Sequence, residues 1–168
     1  SGDADTAQLQ ADLDAAVAWS LRWQLHFNET KCKVMEIAGK KKDKVNRTYL
    51  MGDGDNIVEL ENSDEERDLG ILVDRTLSFN GHIEKAIAKA NQILGLIKRT
   101  LVYFDRDTLK LLYCSLVRPH LEYANVVWHP QYKKHIKLLE GVQRRATRLL
   151  PMMAERPYQE RLRLLGLP

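Results

Sequence analysis

With 168 residues, 44% of them hydrophobic, the chain is long enough for one sizeable core and a smaller satellite, and too apolar to be wholly disordered. No run approaches the roughly 18 apolar residues of a membrane span, and the first residues lack a basic-then-apolar signal, so a soluble intracellular chain is expected. The net charge of +3 conceals an asymmetry: residues 1–80 hold 10 Lys+Arg against 16 Asp+Glu, net −6, while residues 81–168 hold 16 against 7, net +9. A positive field of that kind steers polyanions, which places any partner surface in the C-terminal half; an ordinary solvated helical surface is the alternative.

In chain order, the first helix is expected to start near Asp5 or Thr6, with Leu9, Leu13, Ala16, Ser20 and Trp23 recurring at helical spacing. Phe27-Asn28-Glu29-Thr30 breaks that pattern, and Cys32–Ile37 reads as a short strand. A Gly39–Lys44 loop follows. Tyr49–Met51 and Ile57–Leu60 flank Gly52-Asp53-Gly54-Asp55-Asn56, a turn composition that predicts a β-hairpin. An acidic linker then leads to a strand over Asp68–Asp74.

From Phe79 the period is helical. Ile83, Ala86, Ile87, Ala90, Leu94 and Ile97 form one apolar stripe. Asp105 is the expected N-cap of the next helix, which carries Leu109, Leu112, Leu116 and Val117 until Pro119 kinks or ends it, with Leu121–Trp128 continuing beyond. A fourth helix over about Tyr132–Leu150 should bury Ile136, Leu139, Val142, Ala146 and Leu149. Pro151 closes it, and Pro157 and Gly166 bracket a short final helix with Leu162 and Leu165. The fold class is therefore α+β: a leading helix with short strands and a hairpin over residues 1–78, then a helical bundle over 79–168.

Few residues carry chemistry. The pairs Asp3/Asp5 and Asp53/Asp55 have the spacing of paired metal-binding carboxylates, but one sits at a terminus and the other alternates with glycine in a turn, so neither is expected to hold a metal. His26, His82, His120, His129 and His135 show no ligand spacing, and there is no Gly-rich phosphate loop. Cys32 and Cys114 are too few for a disulfide framework and are expected as buried thiols. The stronger signal is on the fourth helix, where Lys137, Gly141, Arg144 and Arg148, with Lys134 and Arg145 beside them, line a basic stripe opposite the apolar one. A phosphate backbone could lie along it, and Gly141 would allow close approach; a merely solvated outer face is the competing reading. Trp128, Tyr132 and Tyr103 could stack bases, although packing is the expected role of each.

The order of features resembles the reverse transcriptases of non-LTR (LINE-type) retrotransposons, in particular their jockey-like and chicken-repeat-like branch. The resemblance runs through Leu9-Gln10-Ala11-Asp12-Leu13 with Trp19 and Trp23, Phe27–Met35, Asp68–Asp74, Lys89-Ala90-Asn91 with Leu94-Gly95-Leu96-Ile97, Leu116–Ala124 and Gln143–Thr147. Each segment is weakly specific; their order and spacing together are not. The resemblance implies that residues 1–78 are the end of a polymerase palm and 79–168 its thumb. It implies that Lys31 approaches the incoming triphosphate, and that Leu69-Gly70-Ile71 forms a primer-grip strand in which the glycine lets the primer end come near. Lys85, Lys89, Lys137, Gly141, Arg144, Arg145 and Arg148 would touch phosphates.

The family's catalytic aspartates, in an aromatic-Ala-Asp-Asp sequence and an earlier position, are expected upstream, since Gly2-Asp3-Ala4-Asp5 is not that motif. The expectation is thus a template–primer-gripping piece of an RNA-directed DNA polymerase, inactive alone and without a cofactor of its own, Mg2+ belonging to the complete enzyme. Its expected partners are an RNA template, a DNA primer and the upstream fingers and palm of the same polyprotein, in nucleus and cytoplasm, with no membrane. The rival expectation is a host-adopted remnant that serves as a protein-interaction or self-association module, a homo-oligomer whose exposed patch includes Leu9, Leu13 and Trp23.

Overall fold

Helical and strand periods within one chain give an α+β architecture. The computed structural model describes residues 2–38, 47–54, 56–101, 103 and 105–168, and the chain divides into two compact units, Ser1–Leu77 and Ser78–Pro168. The expected Gly39–Lys44 loop lies outside the described residues.

The first unit is a helix with three two-stranded pieces of sheet among its described residues. Helix α1 (Gly2–Arg22) starts ahead of the expected Asp5–Thr6. It turns Leu13, Val17 and Leu21 toward a cluster completed by Tyr49, Met51 and Leu60. Ser20 is buried beside them, and its hydroxyl donates to the Val17 carbonyl at 2.8 Å, so burial leaves it satisfied. Leu9 and Trp23, expected in the same stripe, fall outside this narrower arc and are exposed.

The expected strand over Cys32–Ile37 contracts to β1 (Lys33–Val34), because its partner β4 (Glu61–Asn62) offers only the parallel pairs Lys33–Glu61 and Val34–Asn62. The hairpin forms as expected, β2 (Leu50–Met51) antiparallel to β3 (Val58–Glu59). Gly52, at φ +140°, is required there, since a Cβ would lie 2.1 Å from the Asn56 carbonyl oxygen. The Gln10 side chain, reaching from α1, donates to the Leu50 carbonyl at 2.8 Å and accepts the Leu50 N–H at 2.9 Å, which pairs the open edge of β2.

The continuous strand expected over Asp68–Asp74 is instead a hairpin. β5 (Glu65–Asp68) pairs with β6 (Ile71–Asp74) around a two-residue turn in which Leu69 and Gly70 both take positive φ, 44° and 88°. Such a turn matches the right-handed twist of its strands. The first strand is the acidic stretch that reads as a linker.

The second unit packs α2 (Asn80–Thr100), α3 (Arg106–Leu112), α4 (Arg118–Glu122), α5 (Asn125–Trp128), α6 (Lys133–Ala146) and α7 (Tyr158–Leu165). Ala90, Leu94 and Ile97 of α2 meet Tyr113, Val117, Leu121, Val142 and Ala146 in the larger cluster, and Leu109, Leu150, Met153 and Leu165 form a second. Asp105 caps α3 as expected, accepting the Thr108 N–H at 2.8 Å, and that bond holds its carboxyl below the usual range.

Pro119 acts one turn early. Tyr113–Val117 is a π-helical turn in which the Arg118 N–H reaches the Tyr113 carbonyl, and the wider turn accommodates a residue that has no N–H and whose ring crowds the preceding turn. The segment expected to run unbroken from Leu121 to Trp128 is interrupted at Ala124, whose φ of 50° separates α4 from α5. Helix α6 ends at Ala146 rather than Leu150 and buries His135 in place of Ile136, which is 46% exposed. The buried arc runs His135, Leu139, Val142, Ala146, one residue out of phase with the expected start. The last helix follows its brackets, with Pro157 at its N-cap and Gly166 left-handed (φ 57°) at its C-cap. Cys32 and Cys114, expected buried, are free and half-buried in different units.

Candidate nucleic-acid interface

The amphipathic arc of α6 that buries Val142 and Ala146 leaves Lys137, Arg144 and Arg145 exposed, and Arg148 follows on the turn that leaves the helix. These residues differ in their partners. Arg145 turns toward α2, its Nε and Nη2 donating to the Asn91 Oδ1 at 3.1 and 2.8 Å. Arg144 pairs with Glu140 at 3.3 Å and lies over the Tyr158 ring, 4.4 Å from its centroid. Gly141 is half-buried, and a Cβ there would meet only Arg145 Nη1, at 3.7 Å. The chain's own packing therefore does not demand a glycine at that position. On α2, Lys85 and Lys89 are both exposed, the latter donating to Gln92 Oε1 at 3.5 Å.

A cation not singled out in the sequence completes the group. Arg161 of α7 is 1% exposed, and its guanidinium lies 5.5 Å from the same Tyr158 ring. Its Nε and Nη1 have no hydrogen-bond partner among the described residues. Burial is the main influence lowering its pKa, joined by the charges of Arg148 and Arg144 and opposed by Tyr158. The Tyr158 hydroxyl donates to Gln143 Oε1 at 2.7 Å, and burial, then Glu140, pushes its pKa up. The only signal for Arg161 in the sequence is its position three residues after Tyr158, beside Leu162, where an arginine reads as solvated.

In the first unit the singled-out residues belong to different elements. Lys31 ends a 3-10 turn, Glu29–Lys31, and is exposed. Lys33 is the lysine that is tied, to Glu66 at 2.9 Å and Glu61 at 3.6 Å, and its hydrogen bond to Glu66 raises its pKa. Leu69, 84% exposed, and Gly70 form the tip of the second hairpin, while Ile71 is buried behind them. Asp53 is exposed in its turn; Asp55 and the Asp3 side chain lie outside the described residues. Among the described residues no three His, Cys, Asp or Glu side chains gather where one metal ion could be held. Trp128 is buried, its indole N–H donating to the Tyr123 carbonyl at 2.6 Å and its ring 5.1 Å from that of His82. Tyr103 and Tyr132, expected to pack, are exposed. No helix among the described residues is long and apolar enough to cross a membrane.

Fold and site together define an α+β chain whose helical unit, net +9, gathers arginines around a tyrosine ring. The chain is similar to the RNA-directed DNA polymerase from mobile element jockey of Drosophila funebris, at 26% identity over 165 residues, 94% of this chain and 17% of that protein. This likeness supports a region like that of a retrotransposon reverse transcriptase. No family model matches the chain, and no solved structure matches it.

Proposed function

We propose that the chain grips an RNA template paired with a DNA primer as part of a retrotransposon RNA-directed DNA polymerase, with Ser1–Leu77 as the end of the palm and Ser78–Pro168 as the thumb. The observation that carries this reading is the concentration of cations in the helical unit, 16 Lys+Arg against 7 Asp+Glu, with Arg144, Arg148 and Lys137 exposed on or just after one helix. Phosphate contacts of this kind fix a duplex in place and carry no base information, so binding should be tolerant of sequence and sensitive to salt. The exposed tip Leu69-Gly70 is where the primer strand would pass, and exposed Lys31 is free to approach a triphosphate. Chemistry and its Mg2+ belong to carboxylates of the complete polymerase, which works in cytoplasm and nucleus.

Titration of a labelled RNA/DNA hybrid, followed by fluorescence anisotropy, tests the reading. The wild-type chain binds at low salt, and the variant with Lys137, Arg144 and Arg148 changed to Glu does not. Failure of both to bind removes the gripping role. A second reading, a self-association or protein-interaction module, is favoured by Trp19, Trp23, Leu25 and Phe27, all exposed at and after the end of α1. A stable dimer in sedimentation with no affinity for the hybrid is the result that would select it.

A further inference from the structure

A guanidinium stays positive at any accessible pH, and in a protein interior it is ordinarily matched by a carboxylate or another acceptor. Arg161 departs from this rule. It is 1% exposed, its Nε and Nη1 lack a partner among the described residues, and the charges of Arg148 and Arg144 act against its own, opposed by Tyr158. Glu140, the carboxylate whose charge acts on Tyr158, is paired with Arg144. The π-face of Tyr158, shared by Arg144 and Arg161 at 4.4 and 5.5 Å, is the compensation the chain supplies. Two guanidiniums share one ring, and the charge of Arg148 adds to theirs.

We propose that this group is the seat of a phosphate oxyanion, with Arg161 as its buried donor and Arg148 and Arg144 as exposed arms. The planar fork of a guanidinium matches two phosphate oxygens at once, and an anion seated on its Nε/Nη2 or its Nη1/Nη2 edge would offer Nε or Nη1 an acceptor that it lacks. Because both nitrogens are shielded from solvent, the side chains around Arg161 must shift as the anion enters. The proposal rests on the gripping reading for the source of the phosphate, a diester of the nucleic-acid backbone.

The test uses the whole chain, its Arg161→Met variant and its Arg148→Gln variant. Thermal unfolding is followed in sodium chloride and in sodium phosphate at matched pH and ionic strength, and each protein is titrated with the RNA/DNA hybrid. Phosphate raises the wild-type Tm above its value in chloride, and both variants lose that increment. Arg161→Met also unfolds at a higher temperature than the wild type in chloride, since the unmatched charge is gone. Arg148 is exposed, so its variant reads the site even if the Arg161 variant fails to fold. Hybrid affinity falls about tenfold in each variant. An increment absent from the wild type, or retained by both variants, overturns the seat. Undiminished hybrid binding in both variants overturns the diester source and removes Arg148 from the grip. A wild-type increment with no hybrid binding keeps the oxyanion seat, identifies its ligand as a free phosphate or monoester, and overturns the gripping role.

Discussion

Among the described residues of Ser1–Leu77 the buried apolar cluster is small, Val17, Tyr49, Met51 and Leu60, the strands are two to four residues long, and Trp19, Trp23, Leu25 and Phe27 remain exposed. In Ser78–Pro168 two clusters fill the unit, with Ala90, Val117 and Val142 wholly shielded from solvent. The difference follows from how each period satisfies its backbone. A helix completes its own hydrogen bonds and needs only an apolar arc to pack, whereas a two-stranded piece of sheet is marginal alone and depends on neighbours. The helical unit is therefore the better-supported platform for a charged surface, and the strand unit depends on devices such as the Gln10 bridge to β2.

Four changes sharpen or break that comparison. The largest effect is expected from Leu94→Ala in the core of the helical unit, a loss of about 2–5 kcal/mol in urea unfolding; a loss under about 1 kcal/mol would mean that this core is loosely packed. Gln10→Ala removes two hydrogen bonds to one edge residue and should cost about 1–2 kcal/mol, seen first as faster hydrogen exchange at the Leu50 amide. Gly141→Ala should raise the stability of the helical unit by about 0.5–1 kcal/mol, because the added Cβ meets nothing closer than 3.7 Å. If the same variant binds hybrid more weakly, the glycine serves the ligand; unchanged binding confines its effect to the helix.

The smallest effect concerns His135, buried on α6 with Nδ1 unpartnered. Burial, then Lys134, lowers its pKa, against an opposing pull from Glu84. A folded pKa below the unfolded one means that the unfolded chain takes up the proton first. Stability is thus full above the unfolded value near 6.5 and declines as pH falls from there toward the folded value. Thermal unfolding between about pH 7.5 and 5.5 should show that decline in the wild type and a flatter profile in His135→Phe.

The helical half was the more legible in sequence. The Ile83–Ile97 stripe, the Asp105 cap and the Pro157/Gly166 brackets each rest on a local rule that tertiary packing did not override. The failures have identifiable causes. Leu69-Gly70 was hidden as a turn because leucine rarely takes positive φ, so an apolar run concealed a hairpin. Helix α6 lost its phase because His135, a polar residue by type, occupies the apolar arc. The basic stripe was readable as a set of residues but not as a set of partners: spacing alone cannot show that Arg145 is spent on Asn91, or that Arg161, from another helix, joins Arg144 over Tyr158.

The most direct test of the gripping role is the salt dependence of hybrid binding. Released counterions give a log–log slope near −0.9 per phosphate neutralised on duplex DNA, so a grip by Lys137, Arg144 and Arg148 should yield a slope of about −2 to −3, with each charge removed lowering its magnitude by about one. A slope near zero, or one unchanged when those three residues are reversed in charge, would contradict the account.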